Sequence, residues 1–162
     1  MNDDFRIGHG YDIHRLEADR RLILCGVQVP FEKGLLGHSD ADAPVHALID
    51  ALLGALALGD IGRLFPDTDA AYKDADSLKL LQRVMSLEVF QNWEIVNADI
   101  TIIAQAPKLA PYIDQFRFNL ANTLHLTTDR ISVKAKTAEG LGDVGHGNAI
   151  EATAIILLRK TN

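Results

Sequence analysis

Apolar and polar residues alternate with a period of two along "FRIGHGYDI" and "RLILCGVQVP", and again along "EIVNADITIIAQ", "RISVKAKT" and "AIEATAIILLRK". Such alternation predicts strands, because successive side chains of an extended chain point to opposite sides. Gly26 marks a turn or bulge in the second stretch, and Pro30 ends it. From Ser39 the spacing changes to threes and fours: "SDADAPVHALIDALLGALALGD" is rich in Ala and Leu and predicts a long helix from about Asp42 to Leu58. Ser39 reads as its N-cap, with Asp42 three residues on, and Pro44 falls in the first turn, where a missing N–H is harmless. The polar, proline-bearing "GRLFPDTDAAYKDAD" reads as a loop. Ser77 then opens a second helix, "LKLLQRVMSLEVF", and "PYIDQFRFNLANTL" gives a third.

Three long helices among runs of strands predict an α+β fold, a mixed β-sheet with the helices layered on one face. Ile100, Ile102, Ile131, Val133, Ile155 and Leu157 are too apolar for an open sheet face, so the sheets of several subunits are expected to pack together. In the first strand Ile7, His9, Tyr11 and Ile13 share one side, and Gly8, Gly10, Asp12 and His14 the other. The first set reads as the core side, with His9 a hydrogen-bonded core histidine. The glycines of the second let another backbone or a ligand come close. At 162 residues, with no repeat, linker or low-complexity tract, residues 1–162 are expected to form a single domain.

Composition narrows the function. The chain carries 16 basic and 22 acidic residues, a net charge of −6, and no Lys/Arg block. That balance argues against binding to nucleic acid or to an anionic membrane, so any phosphate must be met locally. The strongest apolar stretch is broken by His46, Asp50 and Asp60, short of the roughly 18 apolar residues a membrane span needs. "MNDDFRIGHG" has neither a positive leader nor an apolar run, and the expected location is cytoplasmic. Cys25 lies alone among apolar neighbours and reads as a buried, inert thiol.

Chemistry concentrates in a few places. Asp12 and His14, on the glycine side of the first strand, read either as a surface ion pair or as two metal ligands. In the long helix Asp42, His46 and Asp50 recur at steps of four and share a stripe; His46 reads either as a partly buried helix histidine or as a third ligand. Together Asp12, His14 and His46 supply one carboxylate and two imidazoles. That is a zinc-type set, with a fourth position left for a water or a substrate oxygen and a net positive charge suited to phosphate. Asp42 or Asp50 either orients a histidine from behind or simply caps or solvates the helix. His38 and Ser39 lie at the mouth of the same helix, where free backbone N–H groups favour an anion. "VKAKTAEGLGDVGHGNA" combines Lys136, Thr137 and Glu139 with a glycine-rich turn, a setting for phosphate and for a hard cation such as Mg2+. Lys108, between Pro107 and Pro111, holds a base or a phosphate or merely precedes the next helix. These features point to an enzyme acting on a phosphorylated small molecule.

"RIGHGYDIHRL", "GLLGHSDADAPVHALIDALLGALALGDIGRLFPDTD", "TIIAQAPKLAP" and "VKAKTAEGLG" resemble, in order and over nearly the whole chain, the 2-C-methyl-D-erythritol 2,4-cyclodiphosphate synthase family. The resemblance implies a lyase of the non-mevalonate route to isoprenoid precursors. Such an enzyme converts 4-diphosphocytidyl-2-C-methyl-D-erythritol 2-phosphate to the cyclic diphosphate and CMP. It implies that Asp12, His14 and His46 hold Zn2+ or another divalent transition metal, and that Glu139 holds Mg2+ or Mn2+ at the diphosphate. The substrate's 2-phosphate would itself attack the β-phosphorus, with the two metals neutralising charge and aligning the attack, so no protein nucleophile is required. His38 and Thr137 fall at positions that place the reacting phosphate and stabilise the transition state. Ser39, Asp60, Ile61 and Gly62, with Phe65, Pro66, Asp67, Thr68 and Asp69, match segments that hold the methylerythritol and ribose portions. Ala104, Gln105, Ala106, Pro107, Lys108, Leu109 and Ala110, with Ala135 and Lys136, match the cytidine and phosphate pocket. Asp12, His14, His38, Thr137, Ala138 and Glu139 complete the implied substrate contacts. The family forms homotrimers with active sites between subunits, which would cover the apolar sheet face.

The chain departs from that family in the turn "GLGDVGHGNA", where His146 replaces an arginine lining a trimer-axis cavity that can hold an isoprenoid diphosphate. Binding there is expected to be weaker and pH-sensitive, because histidine is only partly charged near neutrality. Pro44, where the family often has valine, is expected to be tolerated. Two other readings stand beside the cyclase: a metal-dependent hydrolase using a zinc-bound water, and a non-catalytic protein that binds nucleotides or isoprenoid diphosphates on the same scaffold.

Overall fold

A computed structural model describes residues 4–161; Met1, Asn2 and Asp3, on which part of the reading of the N-terminus rests, lie outside the described residues with Asn162. Along the chain run β1 (Phe5–Ala18), β2 (Leu22–Leu24), β3 (Val27–Val29), β4 (Lys33–Leu35), α1 (Ala43–Ala55), α2 (Ile61–Leu64), α3 (Ser77–Met85) and β5 (Trp93–Ile103). Then follow α4 (Ile113–Thr123), β6 (Ile131–Lys136), α5 (Gly142–Gly145) and β7 (Ala149–Lys160). The expected α+β class holds: five strands form one mixed sheet in the order β4-β1-β7-β5-β6, parallel only between β5 and β6. β2 and β3 pair as a separate hairpin that turns at Cys25 and Gly26, both at positive φ, which is the turn expected at Gly26.

Helix α1 lies across β1 and β7, and β1 pairs with β7 from Phe5 to Arg15. Eleven of its thirteen residues are buried, so it is apolar on nearly all sides, as a central helix must be. Only glycines let it sit so close to the sheet. A Cβ on Gly8 would lie 1.8 Å from the Ala51 carbonyl oxygen, and one on Gly10 1.8 Å from that of Ala47.

This contact corrects the expected sidedness of β1. Gly8, Gly10 and Leu16 face the core, whereas Ile7, His9, Tyr11 and Ile13 are exposed. Hydrophobicity points the wrong way because the core contact here is helix backbone, for which no side chain leaves room. His9 is therefore not a core histidine. Likewise Ile100, Ile102, Ile131 and Val133 are buried beneath the helices, and of the six apolar strand residues only Ile155 and Leu157 lie on the other face.

Local expectations shift at several ends. The cap of α1 is Asp42, whose carboxylate accepts from Val45 N–H, and not Ser39, which accepts from Ala41 N–H. The helix stops at Ala55 instead of Leu58, since Ala57 adopts a positive φ and its N–H turns back to Gly54. Helix α2, capped by Asp60, runs from Ile61 into the loop "GRLFPDTDAAYKDAD", which also contains a 3-10 turn at Ala70–Tyr72, capped by Asp69. Side-chain caps explain why so polar a stretch is ordered. Helix α3 is capped by Asp76, ends at Met85 and gives way to a separate 3-10 segment, Glu88–Asn92.

Candidate metal centre and active site

The close approach of β1 to α1 sets the site. Along β1 the contact moves from Ala51 opposite Gly8 to Ala47 opposite Gly10, so Asp12, next on the same side, arrives beside His46. His14 follows two residues later. Asp12 Oδ2, His14 Nε2 and His46 Nδ1 then converge, at 2.9 Å (Asp12 to His14), 3.1 Å (Asp12 to His46) and 3.2 Å (His14 to His46). Among the described residues these three form the cluster of His, Cys, Asp and Glu groups able to hold a metal ion. The zinc-type set read from the sequence is thus brought together.

The donor atoms fit a divalent cation. A tetrahedral site with ligands at ~2.0–2.1 Å has edges of ~3.3 Å, close to the triangle seen. Both imidazoles also turn a ring nitrogen inward, and for His14 the outer partner shows that this nitrogen carries a lone pair. His14 Nδ1 lies 2.8 Å from the Leu36 carbonyl and donates to it, leaving Nε2 free. His46 Nε2 lies 2.9 Å from Ser77 Oγ and 3.1 Å from Ser39 Oγ, leaving Nδ1 inward. One carboxylate oxygen and two ring nitrogens therefore compete for one point in space.

The ionisation of the site records that competition. Burial alone would push the Asp12 carboxyl up, but hydrogen bonds and positive charge from His14 and His46 outweigh it and hold Asp12 well below the usual carboxylate range. Burial would likewise lower His14, yet the hydrogen bond and charge of Asp12 raise it above the ordinary histidine value of 6.5. A metal must displace the proton from His14 while Asp12 stays ionised. Zinc affinity is accordingly expected to climb about tenfold per pH unit below the raised His14 pKa and to level off above it. Zinc titrations across pH test this; a pH-independent affinity from mildly acidic to alkaline conditions would contradict it.

Neither expected helper aspartate reaches a histidine. Asp42 is fully buried and accepts from the N–H groups of Cys25, Gly26 and Val45, tying the β2–β3 turn to α1. Burial and the charge of Asp40 push its carboxyl up to about 7. Asp50 accepts from Ile61 N–H at 2.7 Å and so anchors α2. Cys25 is buried and free, as expected of an inert thiol.

A cavity of about 490 Å³ opens over the triad, lined also by His38, Ser39, Ile61, Gly62, Phe65, Pro66 and Asp67. His38 is steered by a 3.0 Å contact with the Asp69 carbonyl. Asp60, Thr68 and Asp69 do not line this cavity; Asp60 and Asp69 serve as caps. Gly37, Tyr72 and Leu80 line it without having been singled out, and Ser77 and Asp40 stand behind His46. No spacing rule joins Asp40 to a serine 37 residues on.

A second cavity, of about 350 Å³, lies at the ends of β5 and β6. It is lined by Ala104, Gln105, Pro107, Lys108, Leu109, Ala110, Ala135, Lys136 and Thr137. Thr137 Oγ1 donates to Glu139, and Gly140 N–H to Gln105 Oε1 at 3.3 Å. Within one chain, then, Lys136 and Thr137 line a different cavity from that of the triad, with Glu139 bonded to Thr137 beside it.

Fold and site together define an α+β protein with a candidate metal triad, of the YgbB family, to which the chain belongs, the family model matching residues 5–159. Among its curated relatives is the 2-C-methyl-D-erythritol 2,4-cyclodiphosphate synthase of Trichlorobacter lovleyi, 60% identical over 153 residues, 94% of this chain and 98% of the relative. Solved structures agree. "IspF (Plasmodium falciparum) CDP complex" matches with a TM-score of 0.86 and 38% identity over 100% of both chains. The bifunctional IspDF from Campylobacter jejuni matches with a TM-score of 0.94 and 39% identity over 99% of this chain, which spans 44% of that longer protein.

Proposed function

We propose that this chain, as a single domain spanning residues 1–162, is a cyclising phosphorus–oxygen lyase of isoprenoid precursor synthesis. It converts 4-diphosphocytidyl-2-C-methyl-D-erythritol 2-phosphate to 2-C-methyl-D-erythritol 2,4-cyclodiphosphate and CMP. The observation that carries this reading is the inward-facing Asp12–His14–His46 triad at the wall of a substrate-sized cavity. Divalent ions, Zn2+ or a similar transition metal at the triad and Mg2+ or Mn2+ at Glu139, would supply charge neutralisation and alignment of the phosphate oxygens.

The chain's own residues do the rest. Phe65, Pro66, Ile61 and Gly62 enclose the methylerythritol portion and exclude water beside the triad. His38, held by the Asp69 carbonyl, places the reacting phosphate. The cavity between Ala104–Ala110 and Ala135–Thr137 takes the cytidine, with Lys108 and Lys136 near its phosphates; the Plasmodium falciparum relative is described as a CDP complex. Thr137 donates to Glu139 and keeps that carboxylate aimed.

Since the two cavities are separate in one chain, we place the reaction between subunits of a homotrimer. Support comes from the open sheet face, where Ile7 is 71% exposed beside Tyr11, Ile13 and Ile155. The nucleotide-linked substrate is a charged small molecule, so the reading includes a cytoplasmic location. Among the described residues no helix is long and apolar enough to cross a membrane.

The deciding experiment incubates purified protein with Zn2+, Mg2+ and the cytidine diphosphate substrate and follows 31P NMR. CMP appearing with a cyclic diphosphate is the expected result; linear phosphate products would make it a hydrolase, and binding without turnover a non-catalytic relative. Glu139→Gln is expected to lower kcat by about 10²–10³-fold, a loss of one transition-state contact, while zinc content stays unchanged. Zinc lost with Glu139 would refute the two-cavity assignment.

A further inference from the structure

The back of the His46 ring meets two hydroxyls of different character. Ser77 is fully buried, and its single hydroxyl proton goes to Asp40 Oδ1, a group that can only accept. Ser77 Oγ therefore offers His46 Nε2 a lone pair, and Nε2 must carry the ring hydrogen. Ser39, which has no carboxylate partner among the described residues, leaves its own proton free and selects neither tautomer. Asp40 is itself locked in place. Its Oδ2 accepts from Ser77 N–H at 3.0 Å, its Oδ1 from Asp42 N–H at 3.3 Å, and its own N–H reaches the Ala75 carbonyl at 3.1 Å. With the hydrogen on Nε2, Nδ1 keeps its lone pair toward Asp12 and His14.

We infer that Asp40 and Ser77 form a positioning relay that holds His46 in its Nε2–H tautomer and so keeps Nδ1 available to a divalent metal. Metal-bound histidines commonly lean on a carboxylate directly. Here a serine stands between, so the carboxylate sets the direction of the hydroxyl and the hydroxyl sets the ring. The relay joins the segment just before α1 to the start of α3, and it explains why a buried serine and an aspartate 37 residues apart share two hydrogen bonds. The inference rests on the metal-holding reading of the triad, and it concerns the ligand set instead of the reaction.

The test uses the metal-free full chain at alkaline pH, with zinc alone as ligand. Histidine 15N–1H spectra of the parent protein are expected to show His46 protonated at Nε2. Ser77→Ala, which removes only a hydroxyl from a buried site, is expected to mix the tautomers and to weaken zinc binding about tenfold in chelator competition. Asp40→Asn is expected to do the same, because an amide can donate to Ser77 Oγ and turn the hydroxyl around. The double variant should bind zinc no more weakly than the weaker single one, as expected of a unit. Circular dichroism melts establish that each variant is folded. Zinc affinities within twofold of the parent in both folded single variants, or a parent His46 protonated at Nδ1, would overturn the relay alone. A parent protein that takes up no zinc overturns the metal reading and the relay with it.

Discussion

Replacing Asp12 or His46 by alanine is expected to abolish stoichiometric zinc and to lower turnover about a thousandfold or more, while the fold survives. Asp12 is the only anionic member of the triad, and its Oδ2 lies within 3.1 Å of both imidazoles. Without it two ring nitrogens face each other 3.2 Å apart, and no negative charge of the triad is left to offset a divalent ion. Removing His46 leaves one imidazole and a carboxylate, one short of the three protein ligands of a catalytic zinc site. Loss of the metal should cost at least as much as loss of a strong transition-state contact, about 10³-fold. Atomic spectroscopy of the purified variants and the 31P assay measure the two effects; unchanged metal content in either variant would refute the ligand assignment.

The second large effect is on packing. Gly10→Ala is expected to destabilise the protein by about 3 kcal/mol or more, at the upper end for overpacked cores, and to lower Tm by roughly 10 °C. The added methyl would lie 1.8 Å from the Ala47 carbonyl oxygen, which is helix backbone and cannot rotate away, so α1 must lift from the sheet. Because His46 neighbours Ala47, the same shift draws Nδ1 away from Asp12 and weakens zinc binding. Gly54→Ala provides the contrast. It sits near the end of the same helix with its nearest neighbour, the His9 carbonyl, 3.8 Å away, and should gain about 0.5–1 kcal/mol from helix propensity. Thermal melts of the pair separate close contact from a general intolerance of change in α1, and equal stability of the two variants would contradict the packing argument.

Much of the fold was legible. The alternation along Ala149–Lys160 marks β7 to the residue, and the Ala/Leu spacing with Pro44 marks α1. These are local patterns, written in consecutive residues and set by backbone geometry. The candidate metal triad was also legible, since Asp12, His14 and His46 are the chemically matched groups on the strand and helix that the patterns predict. Element ends were less so. Asp42, Asp69 and Asp76 each compete with neighbouring Asp, Ser or Thr residues for the capping place, and local spacing alone does not choose among them.

By itself, the sequence determined the strand and helix periods, the α+β class and the two sides of β1, and it singled out the three groups of the candidate metal triad. The tertiary structure decided which side of β1 faces the core, because that depends on where α1 lands. Hydrophobicity favours Ile7, Tyr11 and Ile13, yet a helix can approach β1 this closely only over Gly8 and Gly10. It also decided that Ser77 and Asp40, not Asp42 or Asp50, stand behind His46. A hydrogen bond requires atoms within about 3 Å in space, and separation along the chain carries no record of that distance until the chain has folded.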